Sequence, residues 1–183
     1  MSALLSLRAS TSRAACSRCR AGVLNHARLV RNLAVLLHGQ LRGRGCEVAA
    51  SDLRLRVSAD GLSTYPDIVV FCGKPRFADN RTDTITDATV IIEVLSPSTE
   101  NYDRGFKFEQ YRRLTSLQDY VVLAQDRLHV EHSTRQDHDS WILRETSDSK
   151  ACIHLLAIDC VFSLVDAYES VEFAQDRIAA TIK

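Results

Sequence analysis

Apolar and polar positions recur with two different periods along this chain, and the change of period divides it. Over residues 23–42, Val23, Leu24, Ala27, Val30, Leu33, Ala34, Leu37 and Leu41 return every three or four positions, which predicts one face of an amphipathic helix. Gly43 and Gly45 end it. Beyond them the period shortens to two. Leu53-Arg54-Leu55-Arg56-Val57, within residues 47–57, predicts a half-buried strand, and Asp60-Gly61 a hairpin turn. Tyr65 to Cys72 predicts a strand buried on both faces, and the polar residues 73–88 a long loop. Thr89 to Leu95 is the most hydrophobic run and is expected at a sheet centre, stopped by Ser96-Pro97-Ser98-Thr99.

A second helix is predicted over Asn101 to Leu114. Tyr102, Phe106, Gln110 and Leu114 run along one line of it, and Asp103, Lys107 and Tyr111 along the next. Strand-like runs follow at 120–124, 128–132 and 141–144, with turns at 125–127 and 136–140. Two short apolar segments (152–156 and 161–164) and a final helix over 166–180 complete the chain. The order helix, strands, helix, strands predicts an α/β (α+β) fold, a central mixed β-sheet flanked by helices.

Length and composition fit one soluble domain of 183 residues. Charge is less even than its zero sum implies. Arg8, Arg13, Arg18, Arg20, Arg28, Arg31, Arg42 and Arg44 give residues 1–46 a charge of +8 without one acid, against −8 for the remainder. Residues 1–21, rich in Ser, Arg and Ala, read as a basic leader without fixed structure, and 22–183 as the domain. Six cysteines without repeating spacing predict reduced thiols and a cytoplasmic location. Cys16-Ser-Arg-Cys19 lacks the second pair that a four-ligand zinc site needs. No apolar run has the length to span a bilayer. A nucleophile elbow and a Gly-rich phosphate loop are both missing. His129 and His132, on one predicted strand, point to opposite faces and make a poor metal pair.

The chemistry concentrates between residues 65 and 111. Glu93 interrupts the run Val90–Leu95, where a carboxylate is costly unless a cation meets it. Asp67 stands just before Ile68-Val69-Val70-Phe71. Adjacent strands would bring the two acids to one divalent ion, and magnesium takes such hard oxygen ligands. Lys107 would then orient the attacking water or neutralise charge developing on a phosphate. Metal-assisted phosphodiester hydrolysis suits this set. Each member also has a structural reading: Asp67 as a turn residue after Pro66, Asp103–Lys107 as an ordinary helical ion pair. Glu93 is where function outweighs packing.

Tyr65-Pro66-Asp67, then Glu93-Val94-Leu95-Ser96-Pro97-Ser98-Thr99, then Asp103-x3-Lys107-x3-Tyr111 resemble the Uma-two family of restriction-endonuclease-like proteins, within the PD-(D/E)XK nuclease superfamily. The likeness extends through 116–120 and 125–127 and back through 51–54 to a helix starting near His26, covering about 24–173. It implies a restriction-endonuclease-like fold and a DNA endonuclease dependent on Mg2+ (or Mn2+). Asp67 and Glu93 would be metal ligands, with the backbone carbonyl of Val94 as a third. The superfamily's lysine lies two residues after the second acid, where this chain has Leu95, and Lys107 takes its place. Asp103 and Tyr111 are then supporting residues, while Arg104, Arg112 and Arg113 are expected against DNA phosphates. A homodimer is compatible with cutting both strands, and no membrane association is expected. The family tends to have an acidic segment before its first helix, where this chain has the basic leader. That departure supports a second reading, a catalytically inactive nuclease-like scaffold for binding nucleic acid or another protein.

Overall fold

Two glycines set the first corner. A computed structural model describes residues 11–58, 62–78, 82–96, 99–137 and 140–173, with side chains from residue 22 onward. Helix α1 (Thr11–Leu41) ends in a turn where Gly43 and Gly45 take φ of 73° and 75°, a region that costs a side-chain-bearing residue energy. Backbone that the leader reading left without structure is thus helical from Thr11. The buried face of α1 also differs from the predicted stripe. Leu29, Leu33, Leu37 and Leu41 are buried as the period requires, but Val23 and Leu24 are exposed. Asn25 and Asn32 are buried instead, because their amides donate to carbonyls of the C-terminal segment: Glu172 O (2.8 Å) for Asn25, Ala167 O (3.0 Å) and Glu169 O (2.9 Å) for Asn32.

The described strands are β1 (Cys46–Ala50), β2 (Arg54–Arg56), β3 (Ser63–Thr64), β4 (Ile68–Cys72), β5 (Thr84–Ile85), β6 (Val90–Leu95), β7 (Asp119–Ala124), β8 (Val130–Arg135), β9 (Trp141–Thr146), β10 (Cys152–Leu155) and β11 (Cys160–Ser163). Six form the main sheet in the order β1-β4-β6-β7-β8-β9. Only the central pair β6–β7 is parallel, so the sheet is mixed as predicted. Every residue of β6 and β7 is buried, which is why both read as apolar runs, broken in β6 by Glu93 and opened in β7 by Asp119. One face carries Ile68, Val70, Val90, Ile92 and Val94 against α1, the β10–β11 hairpin and helix α4 (Leu164–Ala167). The other carries Val69, Phe71, Ile91 and Leu95 against Leu55, Ile85, Tyr111 and Leu114. Glu93 belongs to this second face by its odd position.

Several predicted elements are corrected. The run 47–57 is two strands of different sheets, split where Ser51 (φ 66°) donates its N–H to Asp67 O at 3.0 Å. Loop 73–88 contains β5, parallel to β2. The turn at Asp60-Gly61 lies outside the described residues, although β2 and β3 pair antiparallel on either side of it. The second helix is three pieces: α2 (Glu100–Tyr102), a π-helical segment (Asp103–Lys107) and α3 (Phe108–Tyr111). The final helix is a single turn, α4, capped by Ser163 Oγ accepting from Asp166 N. Residues 168–173 leave helical geometry as they lie along Asn25 and Asn32 of α1, and 174–180 fall outside the described residues. Reduced thiols throughout are also overturned. Cys46 and Cys72 are direct register partners on β1 and β4 and form a disulfide, a pairing that a separation of 26 residues does not reveal. Among the described residues no helix is long and apolar enough to cross a membrane.

Candidate active site

Glu93 is placed by the sheet itself. It sits on β6 one residue beyond Ile92, which pairs with Ile68, the first residue of β4. The chain entering β4 therefore runs past Glu93 without ladder bonds, and Asp67 fills the gap. Asp67 Oδ2 accepts the Val94 N–H at 2.8 Å, and the Asp67 N–H is directed at Glu93 Oε2 at 3.4 Å. In a strand the N–H and C=O of one residue leave on the same side. The Val94 carbonyl is thus turned toward Asp67 as well. Two carboxylates meet at the end of the central strands, with the Val94 carbonyl leaving its strand on the same side.

The helical segment closes the other side. Lys107 Nζ lies 3.0 Å from Glu93 Oε1 and 2.8 Å from Asp103 Oδ1, bridging them. Tyr111, fully buried, donates its hydroxyl to Glu93 Oε1 at 2.8 Å. Tyr120 of β7 donates to the Asp103 backbone carbonyl at 3.0 Å and so anchors the start of the π-helical segment. Such segments put side chains out of α-helical phase and often occur at functional sites. Asp67, Glu93, Asp103, Lys107 and Tyr111 are all brought together.

Glu93 is only 2% exposed. Burial pushes its carboxyl up to about 7, and nearby Asp67 adds to the rise, against the pull of Lys107 and the hydrogen bonds from Lys107 and Tyr111. Burial also works against the charge of Lys107, but Glu93 and Asp103 outweigh it and hold the ammonium above its ordinary value. Burial raises the Tyr111 hydroxyl far enough that it remains a donor.

His26 is the member that the sequence reading missed. It lies on α1, half-buried, with Nε2 3.2 Å from Asp67 Oδ1. Its hydrogen bond to Asp67 raises its pKa against burial, and the charges of Asp67, Glu93 and Asp103 add to the rise. The signal was available: His26 stands three positions before Leu29 and seven before Leu33, a polar residue on the helix line that becomes buried.

The three arginines expected at phosphates diverge. Arg104 is engaged by Glu100 and by Glu131, whose Oε1 is 2.6 Å from its Nη2. Arg113 pairs loosely with Glu109 at 3.8 Å on the surface. Arg112 is exposed, with its guanidinium 5.3 Å from the Phe108 ring centroid. His129 and His132 do not meet: His129 faces Glu131 and Ser147, and His132 faces Asp119.

The donor set fits a hard divalent ion. Among the described residues no group of three or more His, Cys, Asp or Glu gathers as an all-protein cage. Two carboxylates, a carbonyl and solvent on the open Asp67 side match magnesium, which keeps several waters. Burial disfavours the charged form of Glu93, and such an ion would restore it.

Sheet order, helix placement and the acids at the mouth of the central strands define a restriction-endonuclease-like fold. A crystal structure from Anabaena variabilis, titled a "putative nuclease belonging to DUF820", superposes with a TM-score of 0.67 over 81% of this chain and 82% of that one, at 15% identity. The chain belongs to the Uma2 family, described as "Putative restriction endonuclease", whose sequence profile it matches over residues 20–165. Two Synechocystis proteins are similar. The protein sll1609 is 35% identical over 127 residues, 69% of this chain and 72% of that one. The protein slr1290 is 32% identical over 152 residues, 83% of this chain and 78% of that one.

Proposed function

We propose that this protein is a magnesium-dependent endonuclease (manganese being the alternative ion) that hydrolyses phosphodiester bonds in DNA. The observation that carries this reading is Glu93, an acid buried at the centre of a sheet with a second carboxylate beside it and a lysine bridging its rear. Asp67, Glu93 and the Val94 carbonyl would hold the ion, which when bound supplies Lewis acidity and a more nucleophilic water. The remaining work falls to the chain's own groups. Lys107 stays an ammonium, so its role is to orient water or offset charge on a phosphate oxygen rather than to remove a proton. Asp103 fixes Lys107 from the far side, and Tyr111 fixes Glu93 Oε1, which leaves Oε2 turned toward Asp67. Arg112, exposed and without a carboxylate partner among the described residues, is the arginine best placed for the DNA backbone.

The test is cleavage of plasmid and oligonucleotide DNA with Mg2+ or Mn2+, with chelator, and for Glu93→Gln and Lys107→Ala. Chelator should abolish cutting, Glu93→Gln should lower it about 1,000-fold, and Lys107→Ala about 100-fold. Cutting that survives all three sinks the mechanism. No heat of magnesium binding by calorimetry would leave the inactive scaffold as the better reading.

A further inference from the structure

One strand away from Glu93 lies a cleft of which the catalytic reading uses Arg112 alone. Val122 of β7 is the register partner of Glu93, and with Tyr120 it floors an open cavity of about 240 Å³. Phe108, Trp141 and Leu143 supply further apolar wall, and Arg104, Arg112, Glu131 and Ser133 its polar atoms. The rings are fixed in place. Phe108 stacks on Tyr120 (centroids 4.9 Å, planes 9° apart) and meets Trp141 edge-on at 5.3 Å. Arg135 holds Trp141 from one side, its guanidinium 4.5 Å from the ring centroid.

We propose that this cleft receives one unpaired nucleobase of single-stranded or frayed DNA, next to the carboxylates. Pockets that enclose drug-sized ligands run to about 300–1,000 Å³, so this volume suits one ring system rather than a whole nucleotide. Aromatic walls accept any base, which is how sequence-tolerant single-strand binders work. Ser133 adds the polar handle: it is 6% exposed, lines the cleft, and its hydroxyl has no hydrogen-bond partner among the described residues. A base edge would supply the missing partner. The Arg104–Glu131 pair leaves Arg112 as the rim's uncompensated charge, where the adjoining phosphate would lie. The base would be read on the same sheet face as Glu93, so this inference deepens the nuclease reading and rests on it for the identity of the polymer.

Trp141 is the chain's single tryptophan, so its emission reports the cleft directly. The full-length protein is titrated in chelator, where cleavage plays no part, with a short single-stranded oligonucleotide, the same strand made abasic throughout, and the blunt duplex. The base-bearing strand should quench Trp141 saturably and bind about tenfold tighter than the abasic strand, which keeps the phosphates alone. Trp141→Leu and Ser133→Ala, followed by anisotropy of the labelled strand, should weaken binding about tenfold and about threefold. Trp141 is half-buried on an edge strand, so its replacement leaves the core intact. Equal affinity for base-bearing and abasic strands, or emission unmoved by either, overturns the cleft proposal even if the protein cuts DNA. Quenching without any cleavage in magnesium keeps the cleft and overturns the nuclease reading instead.

Discussion

Glu93 and Asp119 are both acids, 2% and 1% exposed, on hydrogen-bonded central strands of one sheet. Their surroundings are opposite in kind. Asp119 opens β7 on the α1 side, since it pairs with Val90, and Oδ1 takes contacts from His132 Nε2 (2.7 Å) and Thr134 Oγ1 (3.3 Å). Its partners are a ring nitrogen and a hydroxyl from the adjacent β8, a closed arrangement. Glu93 lies near the far end of β6 on the other face, where burial raises its carboxyl, Lys107 and Tyr111 only partly offset that rise, and Asp67 adds a like charge. Burial of an acid therefore does not mark a site here. Burial that its partners leave incompletely offset, with a second carboxylate alongside, does, because a bound ion can stabilise the charged form there.

Substitution by the isosteric amide separates the two most sharply. Glu93→Gln should lower magnesium-dependent cleavage about 1,000-fold, whereas Asp119→Asn should leave the rate within about threefold. Stability should move the other way. Asp119→Asn disturbs a closed hydrogen-bonded pair and should cost about 2 kcal/mol in urea unfolding. Glu93→Gln removes a carboxylate that is poorly compensated at pH 8, and without metal should be neutral or stabilising. Equal losses of activity in both variants would erase the contrast.

The pH dependence sharpens it further. Burial raises the Glu93 carboxyl to about 7 in the folded protein from an ordinary value of 4.5, so the native state binds that proton more tightly than the unfolded chain. Its contribution is fully present below about pH 4.5 and is lost as pH rises through about 7. Metal-free protein should thus lose about 2 kcal/mol between pH 5 and 8. Glu93→Gln should flatten that fall, and Asp119→Asn should run parallel to wild type. Magnesium binding requires the deprotonated form, so its affinity should rise about tenfold per pH unit below 7 and level above it. Calorimetry in buffers of different ionisation heat would count the released proton. A wild-type profile rising with pH in the absence of metal would contradict the assignment.

Much of this was legible in the residues. Glu93 and Asp67 announce themselves by interrupting or preceding apolar runs, and the line Asp103-Lys107-Tyr111 survives the π-helical segment well enough to reach Glu93. Apolar runs located β4, β6 and β7 because these strands are buried on both faces. What depended on long-range partners was hidden. Asn25 and Asn32 lie outside the predicted stripe and are buried only because carbonyls some 140 residues on accept from their amides. The Cys46–Cys72 bond needs the β1–β4 register, and the burial of Asp119 depends on His132 from the neighbouring strand. Arg104 seemed available for DNA until Glu131, 27 residues later, claimed it.

His26 gives the mildest test of the contrast. Its Nε2 sits 3.2 Å from Asp67 Oδ1, so it touches the carboxylate pair on the Asp67 side. A group that orients a ligand through one hydrogen bond typically changes metal affinity or activity 10- to 100-fold when removed. Because Asp67 is also held by the Val94 N–H, the lower end applies. His26→Ala should weaken magnesium binding about tenfold and slow cutting at subsaturating metal by the same factor. Raising magnesium should recover most of the rate, which removal of Glu93 would not allow. If saturating metal fails to restore His26→Ala, the histidine acts on the reaction itself, and the boundary of the site must be moved outward to include α1.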